Sequence, residues 1–316
     1  MVNSKVWIFG VLAVAIYAGL GIYADFSKLL NVVGNFQWTF LLAVFVLTVI
    51  GYLIRYLKWD FFLKKTGVRL KAHDNLFVFF SGLSMIVTPG KMGEVWKGWL
   101  IKDMTGEKLS KTVPVVIVDR LTDVFGLIIL SSAGILYYQD GLYAVLAVSI
   151  ILILFFASVR SRIVSERITV FFEKRMGKYA ENAKAMHITF SGLMNPLDII
   201  LMSFLASVAW FFECLALYVV VLGFGREIDV LLSMFIFSFA SLAGALSMVP
   251  GGLGIAEGTI SGLLQFFGMD AALAVAVALI VRIGTLWFGA FLGLSVFLVF
   301  RKRIYASHGI KVNKEK

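Results

Sequence analysis

Six stretches of this 316-residue chain, near 6–24, 38–57, 113–138, 142–158, 197–222 and 271–300, are apolar over lengths close to the roughly 20 residues a helix needs to cross about 30 Å of hydrocarbon. Inside hydrocarbon a backbone has to satisfy its own hydrogen bonds, so such stretches are read as helices. The expected fold class is an all-α polytopic membrane protein. Composition agrees, because 60% of the residues are hydrophobic and only 15% charged, against about 45–50% and about 25% in ordinary soluble domains. The first run is followed by no small-residue cleavage pattern and is expected to stay as a helix. Cys214 is the one cysteine, which excludes an intrachain disulfide and a cysteine metal cluster.

Two further apolar stretches are broken in the same way. Residues 76–101 contain Thr88-Pro89-Gly90-Lys91-Met92-Gly93-Glu94, and 229–267 contain Val249-Pro250-Gly251-Gly252-Leu253-Gly254-Ile255-Ala256-Glu257. Arg120 follows Pro89 by 31 residues and Arg282 follows Pro250 by 32, each inside a later apolar run. Proline removes a backbone donor and glycine accepts non-helical dihedrals, so the chain can turn back at both places. Both stretches are expected to be re-entrant helical hairpins, and a duplicated broken segment trailed by an intramembrane cation is a pattern of transport sites.

Basic residues orient the layout. With the N-terminus inside, 25 of the 29 Lys and Arg residues fall in segments expected to face the cytoplasm: Lys5 and those in 55–71, 91–111, 160–184 and 301–316. Lys28 and Arg226 fall outside, and Arg120 and Arg282 within spans. Both termini are therefore expected in the cytoplasm of a multi-pass cell-membrane protein. The two hairpins then enter from opposite leaflets, which makes the chain an inverted repeat: 1–140, with hairpin 76–101, and 141–316, with hairpin 229–267 and a cytoplasmic amphipathic linker at 160–195. The net charge of +10 follows from facing an anionic leaflet and calls for no nucleic-acid partner.

Intramembrane charges are the candidate site, because each costs on the order of 2.5–3.5 kcal/mol at a helix centre unless it faces a cavity or a partner. Arg282 is the first candidate for holding a phosphate, the alternative being neutralisation by Glu257 or Glu213. Asp119 and Asp123 share a helical face, and Arg120 can pair with Asp123. The carboxylates could take a proton, or form a local network tied to Lys91 or Lys97. Glu94 and Glu257 occupy related positions, either as gates pairing with an Arg or as complements to a helix dipole. Pro89, Gly90, Gly93, Pro250, Gly251, Gly252 and Gly254 are candidate hinges whose amides could approach an anionic headgroup, although close packing explains the glycines equally well. His73, His187 and His308 have no second ligand at helical spacing, so no metal is expected, nor any other cofactor. Trp96 and Trp99 either line a headgroup cavity or anchor at the interface.

Taken together, Thr88 to Glu94, Asp119-Arg120-Leu121-Thr122-Asp123, Pro250 to Gly254, Glu257 and Arg282 resemble the flippase-like family typified by the transmembrane region of lysylphosphatidylglycerol synthases. The resemblance spans nearly the whole chain. It implies a translocase that moves an anionic phospholipid, an aminoacylated phospholipid or a polyprenyl-phosphate-linked glycolipid between leaflets by alternating access. The best-known members of that family also carry a soluble aminoacyl-transferase domain after the membrane part. This chain ends about 15 residues after its last apolar run, so that activity is not expected, and neither is any other enzymatic one. The alternatives are an integral-membrane lipid transferase using Asp119 and Asp123, or a non-transporting subunit that recruits a lipid- or glycan-modifying enzyme.

Overall fold

The computed structural model describes residues 3–88, 93–132, 143, 146, 149–150 and 180–308. Pro89, Gly90 and Lys91, the repeat junction expected near 139–141, most of the span expected at 142–158 and the first part of the expected linker lie outside the described residues. The described residues are helical, without strands.

Local chemistry sets the helix ends. Helix α1 (Asn3–Tyr23) gives way at Asp25, whose carboxylate accepts from the amides of Ser27 and Lys28 and so caps α2 (Phe26–Gly34). The two axes differ by 96°, and the first apolar run thus ends in a short helix turned across it. Helix α3 (Thr39–Lys65) continues well beyond the end expected at 57. Its buried positions Val44, Thr48, Gly51, Tyr52, Arg55, Lys58, Trp59 and Phe62 recur every three or four residues, forming one continuous helical face.

The first broken stretch becomes α4 (Ala72–Leu83) and α5 (Trp96–Thr105), and α6 (Leu109–Ser131) follows. Helix α7 (Ala180–Leu193) lies in the stretch expected to be a linker. Asn195 caps α8 (Pro196–Gly223), with Pro196 at the position where its missing N–H costs nothing. The second broken stretch is α9 (Val230–Leu246), a 3-10 turn (Pro250–Gly252) and α10 (Ile255–Phe266). Helices α11 (Ala271–Arg282) and α12 (Phe288–Ser307) join through a π turn (Ile283–Trp287) into one rod of 37 residues. Among the described residues α3, α8 and the α11–α12 rod are long and apolar enough to cross a membrane, and α1 with α2 is a fourth span if taken together. Helix α6 has 23 residues, enough for a span, but carries Asp119, Arg120 and Asp123.

Helix α8 packs on α3, α6, α9 and α11. Small residues allow these approaches, as in membrane helix pairs generally: a methyl on Gly51 would meet Ala209 O at 2.9 Å, and one on Gly126 would meet Ser207 N at 2.8 Å. Helix α12 packs on α4, α5 on α6, and α10 on both α9 and α11. At the π turn α3 supplies side-chain donors to the carbonyls: Thr48 Oγ1 reaches Gly284 O at 3.0 Å and Tyr52 Oη reaches Thr285 O at 2.9 Å.

Hydroxyls close the incoming helix at both breaks. Thr88 Oγ1 donates to Met85 O and accepts from Gly93 N, both at 2.7 Å, and Ser247 Oγ donates to Gly244 O at 2.7 Å and accepts from Val249 N at 3.2 Å. The second break reverses through left-handed residues at Met248, Gly251, Gly252 and Gly254. At Gly252 (φ 65°) a methyl would also sit 3.0 Å from Gly244 Cα, so both conformation and space call for glycine. Gly252→Ala is expected to destabilise the protein by at least about 1–2 kcal/mol, whereas Gly258→Ala, with open space around its Cβ, is expected to be neutral or stabilising by up to about 1 kcal/mol. The temperature at which a thiol-reactive dye labels buried Cys214 measures both.

Candidate functional site

The two breaks meet. A methyl on Gly251 would lie 3.5 Å from Val87 Cα, and beside this contact is a cavity of about 180 Å³. Thr88, Glu94, Arg120 and Asp123 line it from the first copy, Val249, Gly251, Gly252 and Arg282 from the second, and Arg55 and Glu213 from α3 and α8.

In the second copy Arg282 fastens the break to the helix that follows it. Its Nε donates to Glu257 Oε1 at 2.8 Å and a terminal nitrogen donates to Gly251 O. Glu257 is fully buried in the first turn of α10, where its other oxygen accepts from Gly254 N at 2.7 Å, so the carboxylate complements the helix N-terminus as well as the guanidinium. Tyr17 Oη donates to Glu257 Oε1 at 3.3 Å and accepts from Trp287 Nε1 at 2.7 Å, which ties α1 to the same point.

The first copy repeats the arrangement with more charges. Arg120 lies 3.4 Å from Glu94, 2.8 Å from Asp119 and 2.9 Å from Asp123. Lys97 binds Glu94 at 2.7 Å while its ammonium sits 4.9 and 4.8 Å from the rings of Trp59 and Phe79. The repulsion between Asp119 and Asp123 is relieved from α3: Lys58 Nζ is 3.2 Å from Asp119 Oδ1, in contact with Asp123 Oδ1, and bonded to Thr122 Oγ1 at 3.1 Å. Each Glu thus pairs with the Arg of its own copy, and the network around Asp119 and Asp123 includes Lys97, reached through Glu94.

Several expectations change. Arg55 and Lys58 were assigned to a cytoplasmic segment, yet they are 5% and 0% exposed inside the bundle. Lys97, from another such segment, is 0% exposed as well. The signal was present in the sequence, since positions 55 and 58 continue the face of Gly51, Tyr52, Trp59 and Phe62. Glu213 binds Arg55 at 2.7 Å, not Arg282, and the Arg55 guanidinium stacks 4.0 Å from the Trp210 ring. Lys91, with Pro89 and Gly90, lies outside the described residues. Trp96 packs edge-on against Phe297 at 4.8 Å and Trp99 is 48% exposed; neither lines the cavity. His73 and His308, 235 positions apart in the chain, both reach Asp74, at 3.0 and 3.2 Å. Among the described residues no three His, Cys, Asp or Glu side chains group as metal ligands.

Among the described residues, Arg55, Arg120 and Arg282 line the cavity with Glu94, Asp123 and Glu213, and Lys58, Lys97, Asp119 and Glu257 pair with these charges from behind: five cations and five carboxylates. Removing one member leaves a buried charge uncompensated. Arg55→Met is expected to cost about 3–5 kcal/mol, and Arg55→Met with Glu213→Leu to recover most of it, as read from the melting midpoint of the detergent-solubilised protein followed by size-exclusion chromatography.

Known proteins share this chain's sequence across nearly its full length. A UPF0104 membrane protein of Methanothermobacter thermautotrophicus is 28% identical over 314 residues, with 93% of each chain covered. UPF0104 membrane proteins of Pyrococcus horikoshii (25% identity, 90% of this chain and 94% of the relative) and Methanocaldococcus jannaschii (27% identity, 69% and 94%) are similar to it as well. The profile of the lysylphosphatidylglycerol synthase TM region matches residues 10–293, and with them both breaks and both of the arginines that follow. The chain is a membrane protein and belongs to the family of the lysylphosphatidylglycerol synthase transmembrane region.

Proposed function

We propose that the protein is a lipid translocase in which an anionic headgroup enters the cavity between two inverted hairpins, meets Arg120 and Arg282, and crosses as the halves rock, while the hydrocarbon tail stays in the bilayer. The observation that carries this reading is the pair of broken segments meeting at a charged cavity, each with an Arg held by a carboxylate of its own copy. The family's name supports an anionic or aminoacylated phospholipid as cargo.

The charge balance gives the reading a mechanism. Because the described cations and carboxylates around the cavity match in number, an incoming phosphate makes it net negative unless a carboxylate gives up its arginine and takes a proton. Arg282 is poised for such an exchange: if Glu257 lets go, the guanidinium can present two parallel donors to a phosphate. Its Gly251 contact would couple headgroup binding to the turn. Downhill exchange, or a proton gradient acting through Glu257, Glu94, Asp119 and Asp123, would drive transport without an enzymatic step.

In this reading the chain has two further spans beyond α1, α3, α8 and the α11–α12 rod, at 113–138 and 142–158, two re-entrant hairpins and both termini in the cytoplasm. On a Cys214→Ala background, Lys28→Cys should be labelled by a membrane-impermeant maleimide on intact cells. Lys111→Cys should react only after permeabilisation; the opposite pattern overturns the orientation.

Arg282→Ala is expected to abolish leaflet exchange of a fluorescent anionic lipid in proteoliposomes. Arg282→Lys, which keeps the charge and loses the fork, should slow it by about 10- to 150-fold, the equivalent of one charge-assisted hydrogen bond. Exchange at the wild-type rate by a folded Arg282→Ala protein would refute the role.

A further inference from the structure

Away from the central cavity, a groove of about 820 Å³ runs between α3, α4 and α12. Its two ends differ in chemistry. Lys71, His73 and Arg303 stand at one end, and Phe77, Phe80 and Val296 line the depth. Nine residues separate Lys71 from Phe80 along α4 and seven separate Arg303 from Val296 along α12, so the apolar part extends roughly 10–13 Å below the basic rim.

The rim differs from the central site in one respect. Among the described residues every cation at the cavity has a carboxylate partner, whereas no carboxylate pairs with Lys71 or Arg303. The acid close by, Asp74, is 2% exposed and already engaged by His308 and His73. Its pairing with His308 also fastens the end of α12 to the start of α4, which fixes the spacing of the rim. Arg69 comes just before it in the chain and Lys302 beside it, basic residues suited to an anionic leaflet, while Lys64 and Lys65 are paired with Asp60 and Asp198.

We infer that this groove is a binding site for an anionic glycerophospholipid, with its phosphate between Lys71 and Arg303 and one hydrocarbon tail along Phe77, Phe80 and Val296. Cationic rim and apolar depth match the two ends of such a lipid, and a zwitterionic lipid would gain little from the rim. This second lipid site goes beyond the translocation reading and stands independently of it.

The test uses the full chain in phosphatidylcholine vesicles containing a phosphatidylglycerol whose tail carries a photoreactive diazirine, with labelled peptides mapped by mass spectrometry. Labelling of residues 76–80 and 296–304 is expected. Lys71→Ala with Arg303→Ala should lower it about tenfold or more, two basic contacts at a lipid surface being removed, and Lys71→Arg with Arg303→Lys should retain it. A phosphatidylcholine probe with the same tail should label at the level of the alanine variant. Equal labelling by the two probes in the wild-type chain, or unchanged labelling of the alanine variant by the phosphatidylglycerol probe, overturns the site. Neither readout involves leaflet exchange, so the outcome is separate from that of the central cavity.

Discussion

Charge pairing inside an apolar bundle is the constraint on which this structure depends. A lone Arg or Asp at the centre of a membrane helix costs several kcal/mol, and α6 alone carries three such groups close together. They are tolerable because partners come from other elements: Lys58 from α3, and Glu94 from the chain just before α5, backed by Lys97. The same demand makes Arg55 a tie between α3 and α8, and Arg282 a tie between the second break, α10 and the π turn. Apolar packing fills the rest of the interior, but it is non-directional. Salt bridges at fixed positions fasten the helix faces that packing brings together.

Neutrality also shapes how a cavity of this kind can work. A site lined by unpaired arginines would hold a phosphate tightly and release it slowly. One in which every arginine already has a carboxylate binds an anion only by exchange, which weakens binding and links it to movement of the partner. Here the partners sit on the mobile elements of such a scheme: Glu94 adjoins the first break, and Glu257 opens the helix that follows the second. Each ion pair closes within its own copy, Arg120 on Glu94 and Arg282 on Glu257, and the two breaks meet through Val87 and Gly251.

Parts of this were legible in residue order alone. Pro89, Pro250 and their glycines announced the breaks, and the matched distances to Arg120 and Arg282 marked the two arginines as related positions without saying which carboxylate each would meet. Arg55 and Lys58 escaped notice for a specific reason. Hydropathy averages over a window and ends a span where charge begins, while the helix continues as long as its buried face does, and that face runs on through Trp59 and Phe62. The bend between α1 and α2 was missed similarly, since Asp25 stops the helix by capping the next one without interrupting the apolar content enough to register. His73 and His308 could not be joined from sequence at all, their common partner Asp74 being reached only when α12 returns along α4.

By itself the sequence determined that the chain is helical and membrane-bound, that two segments break, and which charged residues must find partners, because hydrocarbon leaves neither backbone nor charge unsatisfied. Tertiary structure alone decided which partners they find. Glu257 and Glu213 were equal candidates for Arg282 until the packing of α10 on α11 brought one within 2.8 Å, and the packing of α3 on α8 gave the other to Arg55. Coulombic attraction is indifferent to sequence separation and falls off with distance, so the choice belongs to the geometry of helix packing, which residue order does not specify.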